Sequence, residues 1–474
     1  MTLKIVTKYE KLPVMIKASF WFTVCSVVQK GISLLTTPIF TRVLSASQYG
    51  EYTVFQTWYS IISIFATLNL YYSTTYNGLT KFKNKKQFIS SMQGLCTIIT
   101  LTLFLIYILF QDIWNNIFLM KNSYIYAMFL ELLFVPAYNF WMAKERYDFK
   151  YKKIIAVTII IAFVSPILAI LLILNTNAKA EARIFSYVFV QVIVGLILYI
   201  YNLKDGKLFY NNKFWKYGLT LNIPLIPHYL SSVILNDSDR LMINSMCGKS
   251  QAAIYSVSYS IAMMMTILVT AINNSLTPYI YKSLKEKNYN GIKKNVNLLI
   301  AFISIMCLLA ITYGPELISI FASKEYYDSI WVIPPVACSV YFCFLYPLFS
   351  TIEFYYEKTK YVMIASMIGA ILNLLLNYYF IPHIGYYAAG YTTLFCYILY
   401  SFSHYFFSTK ILHSKGIRNL FDIKFISFVS ILVVFMMAII TLLYTNFLLR
   451  MVFGIVEVLA IIMLCKKYRL LHID

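Results

Sequence analysis

The stretch that decides the fold is residues 18–37, ASFWFTVCSVVQKGISLLTT. A membrane-spanning helix needs about 20 mostly apolar residues to cross roughly 30 Å of hydrocarbon, and this run has that length. Polar side chains recur in it at steps of three and four residues, which is the spacing of one face of an α-helix. They are Ser19, Thr23, Ser26, Lys30, Ser33 and Thr37. The run therefore predicts a membrane helix with one polar face.

Lys30 is the charged residue of that polar face. A lysine at the centre of a membrane helix costs roughly 2.5–3.5 kcal/mol on insertion scales. Water in a cavity, a counter-ion or an anionic ligand has to offset this cost. The stretch therefore predicts a transporter with an anion-attracting cavity. Snorkelling of the side chain to the membrane surface, or a private ion pair, is the alternative.

The composition of the whole chain agrees with a membrane location. Of the 474 residues, 60% are hydrophobic and only 12% are charged, and the mean hydropathy is +0.70. Soluble domains carry roughly 25% charged residues. We predict an all-α, polytopic membrane protein with about 14 transmembrane helices, the number of apolar runs of sufficient length.

The distribution of the 40 Lys and Arg residues predicts the orientation of the chain. Basic residues concentrate in alternate loops, as they do in the cytoplasmic loops of membrane proteins, and we predict that both termini are cytoplasmic. The predicted outer loops hold only Arg42, Lys121, Lys179, Arg183, Arg240, Lys249, Lys324 and Arg450. The net charge of +21 is then a topology signal that also favours anionic membrane lipid, and it gives no support for a nucleic-acid partner.

Two long cytoplasmic loops, at 204–217 and 409–424, divide the predicted spans into groups of six, six and two. We therefore predict an N-terminal six-helix bundle over residues 1–203 and a C-terminal six-helix bundle over residues 204–408. Residues 409–474 form two additional transmembrane helices and a cytoplasmic tail. No loop is long enough for a soluble catalytic domain, and the sequence predicts no enzyme.

The two predicted bundles are related by an internal repeat. The segment SQYGEYTV at 47–54 opens the second span, and SQAAIYSV at 250–257 opens the eighth. Because six spans separate the two copies, they cross the membrane in the same direction. A parallel repeat of this kind relates two bundles by an axis normal to the membrane and predicts a central cavity between them.

Three segments resemble a known family. The segment QKGISLLTTPIFTRVL at 29–44, followed by Tyr49 and Gly50, strongly resembles the opening of Wzx-type polysaccharide flippases, which belong to the multidrug/oligosaccharidyl-lipid/polysaccharide exporter superfamily. Two further segments, 238–255 and GYYAAGYTT at 385–393, match the same pattern. The resemblance covers essentially the whole chain.

The resemblance implies two six-helix bundles around a central cavity and transport by alternating access. The implied cargo is an oligosaccharide repeat unit of O-antigen or capsule, linked to undecaprenyl pyrophosphate, which moves from the inner to the outer leaflet of the bacterial plasma (inner) membrane. Polymerase and chain-length proteins of the same pathway are possible partners. The alternatives are a multidrug or lipid II exporter of the same superfamily, and a membrane-embedded polysaccharide polymerase or glycosyltransferase.

Four basic residues are predicted to meet the pyrophosphate in the cavity: Lys30, Arg146, Lys150 and His228. Arg146 and Lys150 follow the fourth span, where they would meet the phosphate as it leaves the inner leaflet, although topology alone explains such a cluster. His228 lies in a span broken by two prolines, and broken membrane helices often line substrate sites. Satisfied packing is the alternative for this histidine.

Uncharged polar residues at helical spacing are predicted to contact sugar hydroxyls, with hydrogen bonding between helices as an equal alternative. These residues are Ser26, Ser33, Thr37, Gln56, Ser60, Ser63, Asn222, Asn273, Asn274, Asn373 and Asn377. At the outer end of the seventh span, Asp237, Asp239 and Arg240 predict a salt-bridged rim or gate.

Glu131 lies among leucines in the fourth span, where burial disfavours its charged form. It is the candidate coupling carboxylate for H⁺ or Na⁺. Pairing with Lys30 or with a donor from another span is the alternative. The eight cysteines show neither metal-binding nor disulfide spacing, and no cofactor or metal site is predicted. For Glu457, in the last span, a structural or lipid-facing role is expected.

Overall fold

The computed structural model describes the chain from residue 14 to residue 467. Over this range the regular structure consists of nineteen α-helices and four short 3₁₀ segments, with no strand. The contacts divide the chain into two compact units, one ending at Val233 and the other beginning at Ile234. The predicted all-α class is confirmed.

Unit 1 contains nine complete helices and the start of a tenth. Their bounds are α1 Val14–Val43, α2 Ala46–Thr67, α3 Ser73–Lys81, α4 Lys85–Leu109, α5 Gln111–Phe118, α6 Asn122–Tyr147, α7 Tyr151–Leu174, α8 Lys179–Gly206, α9 Asn212–Asn222 and α10 Ile226–Cys247. A 3₁₀ turn, Ile223–Leu225, separates α9 from α10. The predicted helix with the polar face is α1, and the predicted break at the prolines is this turn.

Unit 2 begins within α10 and continues to the end of the described chain. Its further helices are α11 Lys249–Ala262, α12 Thr266–Lys285, α13 Tyr289–Thr312, α14 Gly314–Phe321, α15 Ile333–Tyr355, α16 Thr359–Ile384, α17 Tyr387–Ser414, α18 Ile423–Leu442 and α19 Phe447–Lys467. The remaining 3₁₀ segments are Met263–Met265, Lys324–Val332 and Leu443–Thr445.

Ten helices in the described chain are long and apolar enough to cross a membrane, judged by length and composition alone. This agrees with the predicted polytopic membrane protein. The number of about 14 spans, the cytoplasmic location of the termini, the three-part division of the chain and the central cavity remain predictions.

Local sequence signals explain where α2 begins and ends. Ser45 caps the helix: its hydroxyl accepts from the backbone N–H of Gln48, and the Gln48 side chain accepts from the backbone N–H of Ser45 at 3.0 Å. This reciprocal capping box satisfies two backbone donors that a helix start otherwise leaves unpaired. The helix ends at Leu68, whose left-handed backbone turns the chain.

Close packing and buried amides hold α4, α6 and α8 together. A Cβ at Gly195 of α8 would lie 2.7 Å from the carbonyl carbon of Phe134 in α6, so only glycine permits this approach. Asn202 donates to the Gln93 side chain at 2.9 Å and to the Ala137 carbonyl at 3.0 Å. Because lipid supplies no hydrophobic drive between helices, such packing and hydrogen bonds stabilise the bundle. They fix the position of α8 and of the polar residues on it.

Candidate functional site

Unit 1 contains a cavity of about 300 Å³ between α1, α2, α7 and α8, which we call the unit 1 cavity. Hydroxyl, amide and guanidinium groups line it together with a smaller number of apolar side chains. The lining residues are Gln29, Ile32, Ser33, Thr36, Tyr52, Ile161, Ala162, Ser165, Pro166, Arg183, Tyr187 and Gln191. A polar cavity inside otherwise apolar helices is a place where a polar ligand can bind within the membrane.

Arg183 is the buried cation of the unit 1 cavity. Its side chain is only 9% exposed, and its guanidinium carbon lies 4.0 Å from the ring centroids of both Phe40 and Tyr52. The Nε atom has no hydrogen-bond partner among the described residues. Aromatic faces attract a cation but supply no hydrogen-bond acceptor in the guanidinium plane. The Nε–H group of Arg183 is therefore available to bind an anion.

The pattern of basic residues predicted Arg183 in an outer loop, whereas the structure places it in the second turn of α8. Three cavity-lining residues of α8, Arg183, Tyr187 and Gln191, are spaced by four residues and so lie on one helical face. This spacing was the signal in the sequence that could have identified Arg183.

Helix α1 reaches the unit 1 cavity through the polar residues Gln29, Ser33 and Thr36, of which only Ser33 belongs to the predicted polar face. Lys30 lies between these lining residues in the chain and its side chain is exposed. The Thr37 hydroxyl donates to the Ser33 carbonyl at 2.9 Å, which satisfies that hydroxyl within its own helix. The structure thus brings Ser33 to the cavity, whereas Lys30, the predicted cavity cation, is exposed and is not among the residues that line the unit 1 cavity.

The predicted polar residues of α2 bond mainly to their own helix. The Ser60 hydroxyl donates to the Gln56 carbonyl at 3.0 Å, and the Ser63 hydroxyl donates to the Ser60 carbonyl at 2.8 Å. The side-chain nitrogen of Gln56 is buried and has no hydrogen-bond partner in the described part of the chain. These three residues are not among the residues that line the unit 1 cavity.

Glu131 lies in α6, and its side chain is 1% exposed. Its Oε2 atom has no hydrogen-bond partner among the residues described. The carboxylate is close enough to the phenols of Tyr59 and Tyr187 to interact with them electrostatically. Tyr187 also lines the unit 1 cavity, whereas Glu131 is not among the lining residues.

The basic residues that follow the fourth predicted span lie apart from the unit 1 cavity lining. The Arg146 guanidinium lies 5.4 Å from the ring centroid of Phe22. Lys150 is exposed and forms an ion pair with Asp148 at 3.3 Å. The hydrogen bond to Asp148 raises the pKa of Lys150 above its ordinary value, so this amine is protonated at neutral pH.

The predicted residues around the proline break have different environments. Asn222 is fully buried, donates to the hydroxyl of Thr74 and donates to the Gly218 carbonyl at 3.0 Å. This amide therefore links α9 to α3. His228 is half-buried, with its ring centroid 5.9 Å from that of Tyr229.

Unit 2 contains a buried polar network centred on Asp239, which we call the Asp239 cluster. The Asp239 carboxylate accepts from Asn377 at 2.6 Å, from the Tyr255 hydroxyl at 2.5 Å and from the Thr393 hydroxyl at 2.9 Å. Asn377 also donates to Asn373 at 3.3 Å. The structure thus joins two predicted asparagines to a carboxylate that is 1% exposed.

The predicted salt-bridged rim is formed by only part of the expected residues. Arg240 pairs with Asp237 one turn away. Asp239 instead accepts neutral donors from three other helices inside unit 2. Asn273 is half-buried in α12, and the side chains of Ser19, Thr23, Ser26 and Asn274 lie outside the described residues.

Comparison with known families gives two matches that together cover most of the chain. The family described as "Polysaccharide biosynthesis protein" matches residues 15–284, more than half of the sequence. The family described as "MatE" matches residues 224–379.

Two curated proteins of Haemophilus influenzae are similar to this chain. "Lsg locus putative protein 1" is 25% identical over 208 residues, which are 41% of this chain and 51% of that protein. An "Uncharacterized membrane protein" is 22% identical over 201 residues, which are 41% of this chain and 50% of that protein. The chain spans about half the length of these curated relatives.

Solved structures with the same fold are transporters and flippases. "Lipid II flippase MurJ, inward closed conformation" has a TM-score of 0.72 at 16% identity and covers 96% of this chain and 99% of that chain. An inward-facing multidrug resistance MATE family transporter of the MOP superfamily has a TM-score of 0.62 at 13% identity, covering 84% of this chain and 99% of that chain. At these identities the likeness concerns the fold.

Proposed function

Because the chain belongs to the polysaccharide biosynthesis protein family, we propose that it is a flippase for lipid-linked glycan. The chain is a multi-pass membrane protein of the bacterial inner membrane. The proposed cargo is an oligosaccharide repeat unit of O-antigen or capsule, carried on undecaprenyl pyrophosphate. It moves from the inner to the outer leaflet by alternating access.

The observation that supports this cargo is the unit 1 cavity with its buried cation. Gln29, Ser33 and Gln191 offer amide and hydroxyl groups of the kind that bind sugars. Arg183 offers a cation that no described residue neutralises by a hydrogen bond at Nε. A multidrug exporter for cationic drugs, the nearest alternative function, would gain nothing from a cation in its cavity.

Lys30 is proposed to bind the diphosphate of the carrier lipid. Its side chain is exposed on α1, outside the lining of the unit 1 cavity, so an anion can reach it from the surface of the helix. Arg146 and Lys150 are proposed to bind the phosphate first, because Lys150 is charged and exposed. His228 and Asn273, which are half-buried, are proposed as further contacts to the glycan, whereas Asn222, Asn373 and Asn377 are fully buried and bond within the protein.

Coupling to H⁺ or Na⁺ is proposed to act through a buried carboxylate. Glu131 is the predicted candidate, and its unpartnered Oε2 supports proton binding there. The Asp239 cluster is the second candidate, because its carboxylate, amide and hydroxyl oxygens are the ligand types that hard cations prefer. Binding or release of H⁺ or Na⁺ at either carboxylate would alter the charge inside its unit.

Deletion of the gene in its native host tests the proposed function. Loss of the flippase should abolish long surface glycan and cause lipid-linked repeat units to accumulate in the inner leaflet, and the wild-type gene should restore both. Surface glycan of unchanged length and amount would contradict the proposal. Accumulation of lipid II, or increased sensitivity to cationic drugs with normal glycan, would assign one of the two alternative exporter functions.

A further inference from the structure

Arg183 lines the unit 1 cavity. Its guanidinium carbon lies 4.0 Å from the ring centroids of both Phe40 and Tyr52, so both rings make cation–π contacts with it. The N–H groups of a guanidinium lie in its plane, so an anion that hydrogen-bonds to them approaches in that plane. Planar carboxylates, and phosphates, fit that approach because they accept two parallel N–H bonds.

Two acidic residues of unit 1, Glu181 and Glu51, contact partners other than Arg183. Glu181 pairs with Lys121. Glu51 accepts a hydrogen bond from the Tyr124 hydroxyl at 2.7 Å. Glu131 and Arg183 both lie within electrostatic range of Tyr187, and Glu131 Oε2 and Arg183 Nε both lack a hydrogen-bond partner among the described residues. A buried guanidinium without an anion is unfavourable in a membrane bundle, and aromatic contacts offset only part of that cost. An anion from outside the chain would complete the site.

The other polar groups of the unit 1 cavity match a sugar ring. Gln29 and Gln191 present amides, which both donate and accept, and Ser33 and Ser165 present hydroxyls. The volume of about 300 Å³ lies at the lower end of the roughly 300–1,000 Å³ of ligand pockets. This is room for one sugar residue and not for a whole repeat unit.

We propose that the unit 1 cavity is a subsite for an acidic sugar of the cargo. The sugar's carboxylate binds the in-plane N–H groups of Arg183, and its ring hydroxyls bind the amides of Gln29 and Gln191. This inference rests on the proposed flippase function and deepens it, because it assigns the cargo to the acidic glycans. The carrier diphosphate is the second source of the same oxyanion chemistry.

Ligand binding to the purified full-length chain tests the subsite directly. Thermal unfolding is followed with increasing D-glucuronate, with D-glucose as the neutral analogue and with inorganic pyrophosphate. We expect D-glucuronate to raise the midpoint temperature and D-glucose to leave it unchanged, since a ligand stabilises the state that binds it. A pyrophosphate response that needs Arg183, without a D-glucuronate response, would overturn the sugar assignment in favour of the diphosphate. Equal responses to D-glucuronate and D-glucose would overturn the role of the charge.

Arg183→Gln removes the charge and keeps a hydrogen-bonding side chain. We expect the apparent Kd for D-glucuronate to rise by about tenfold or more, the loss typical of a charge-assisted hydrogen bond. Arg42→Gln is the matched control, because Arg42 is exposed on α1 and does not line the cavity. Gln191→Ala is the second cavity variant, and it should weaken D-glucuronate binding even if Arg183→Gln does not fold. Unchanged binding in the folded cavity variants would overturn the subsite.

Transport in liposomes separates this inference from the proposed function. Wild-type chain is reconstituted with lipid-linked glycans that differ only in a carboxylated or a carboxyl-reduced sugar. We expect Arg183→Gln to slow transport of the carboxylated glycan more than that of the reduced one. Equal slowing of both glycans would overturn the acidic-sugar subsite while the flippase function stands. No transport of either glycan by the wild-type chain would contradict the flippase function, and D-glucuronate binding would still report on the cavity.

Discussion

The unit 1 cavity and the Asp239 cluster each contain a buried charged side chain, positive in the first and negative in the second. They differ in whether neighbouring side chains satisfy its hydrogen-bonding capacity. Arg183 is a cation with an unpartnered Nε beside an open cavity. Asp239 is an anion whose two oxygens accept three hydrogen bonds from side chains of the same unit. Burial of a charge is costly in both sites. The first site leaves binding capacity for a ligand, whereas the second satisfies its charge internally.

This difference predicts that substitution of the cations in or near the unit 1 helices changes cargo transport, whereas substitution of Asp239 first changes the stability of the fold. Variants in unit 1 should therefore lose transport at unchanged stability. Variants in the Asp239 cluster should lose stability first.

Lys30→Ala should give the largest effect. Removal of one partner of a charged contact costs about 2–5 kcal/mol, so we expect the translocation rate to fall by about 100-fold. Membrane abundance and the midpoint of thermal unfolding should be unchanged, because Lys30 is exposed. The measurement is flipping of a lipid-linked repeat unit in liposomes, with Lys294→Ala, an exposed lysine of unit 2, as the control. Wild-type transport by Lys30→Ala would show that this ammonium does not bind the cargo.

Asp239→Ala should come next and should act on stability. It leaves the donors of Asn377, Tyr255 and Thr393 without their acceptor, at about 1–3 kcal/mol for a buried unpaired group. We expect the midpoint of thermal unfolding in detergent to fall, and to fall less for Asp239→Asn, which retains one acceptor.

Asp237→Asn is the matched control for that series, because Asp237 pairs with Arg240 at a more exposed position. An Asp239→Ala protein as stable as the wild type would remove the distinction between the two sites. Normal stability of Asp239→Asn combined with loss of ion-dependent transport would instead assign coupling to the Asp239 cluster.

Glu131→Gln should have an intermediate effect on transport. A carboxyl group can take up and release a proton, whereas the amide of glutamine cannot. We therefore expect the acceleration of transport by an imposed proton gradient to fall by about tenfold, as for loss of a functional acid. Stability should be retained, since the amide is similar in size and uncharged. Flipping rates with and without a proton gradient give the measurement.

Glu457→Gln is the matched buried carboxylate for this test. Glu457 is 7% exposed and accepts from the Thr312 hydroxyl at 3.1 Å, so a structural role in unit 2 is expected for it. The flipping rate of Glu457→Gln should depend on the proton gradient as strongly as that of the wild type. A Glu131→Gln protein with the same gradient dependence as wild type would exclude Glu131 as the coupling group.

Lys150→Ala should have the smallest effect. Its ion pair with Asp148 is exposed, and exposed pairs contribute about 0–1 kcal/mol. We expect stability to change by less than about 0.5 kcal/mol. The initial rate of cargo binding at low salt should fall by less than about threefold, the modest effect of one steering charge. A large loss of transport would place Lys150 in direct contact with the phosphate.

The sequence predicted the class of the molecule because hydropathy and period are local properties. The length of residues 18–37 is enough to identify a membrane helix, and α1 extends through it. The family pattern at 29–44 agrees with the family match over residues 15–284. Ser33 was selected by its spacing alone, and the structure places it at the unit 1 cavity.

The prediction that Arg183 lies in a loop was wrong. A charged residue at the end of an apolar run looks like a loop residue, and only the extension of α8 to Lys179 puts Arg183 inside the helix. Asp239 was grouped with its neighbours Asp237 and Arg240, but on a helix those side chains point in different directions. The donors of Asp239 come from residues 16 to 154 positions away in the chain.

What the sequence determined by itself is therefore the all-α membrane class and the family, since each follows from composition, spacing or a contiguous motif. Only the tertiary structure decided that Phe40, Tyr52 and Arg183 stack beside one cavity, and that Asp239 meets Asn377 and Thr393. The physical reason is that helical periodicity fixes which residues share a face, whereas the partner of that face depends on close packing between helices distant in the chain.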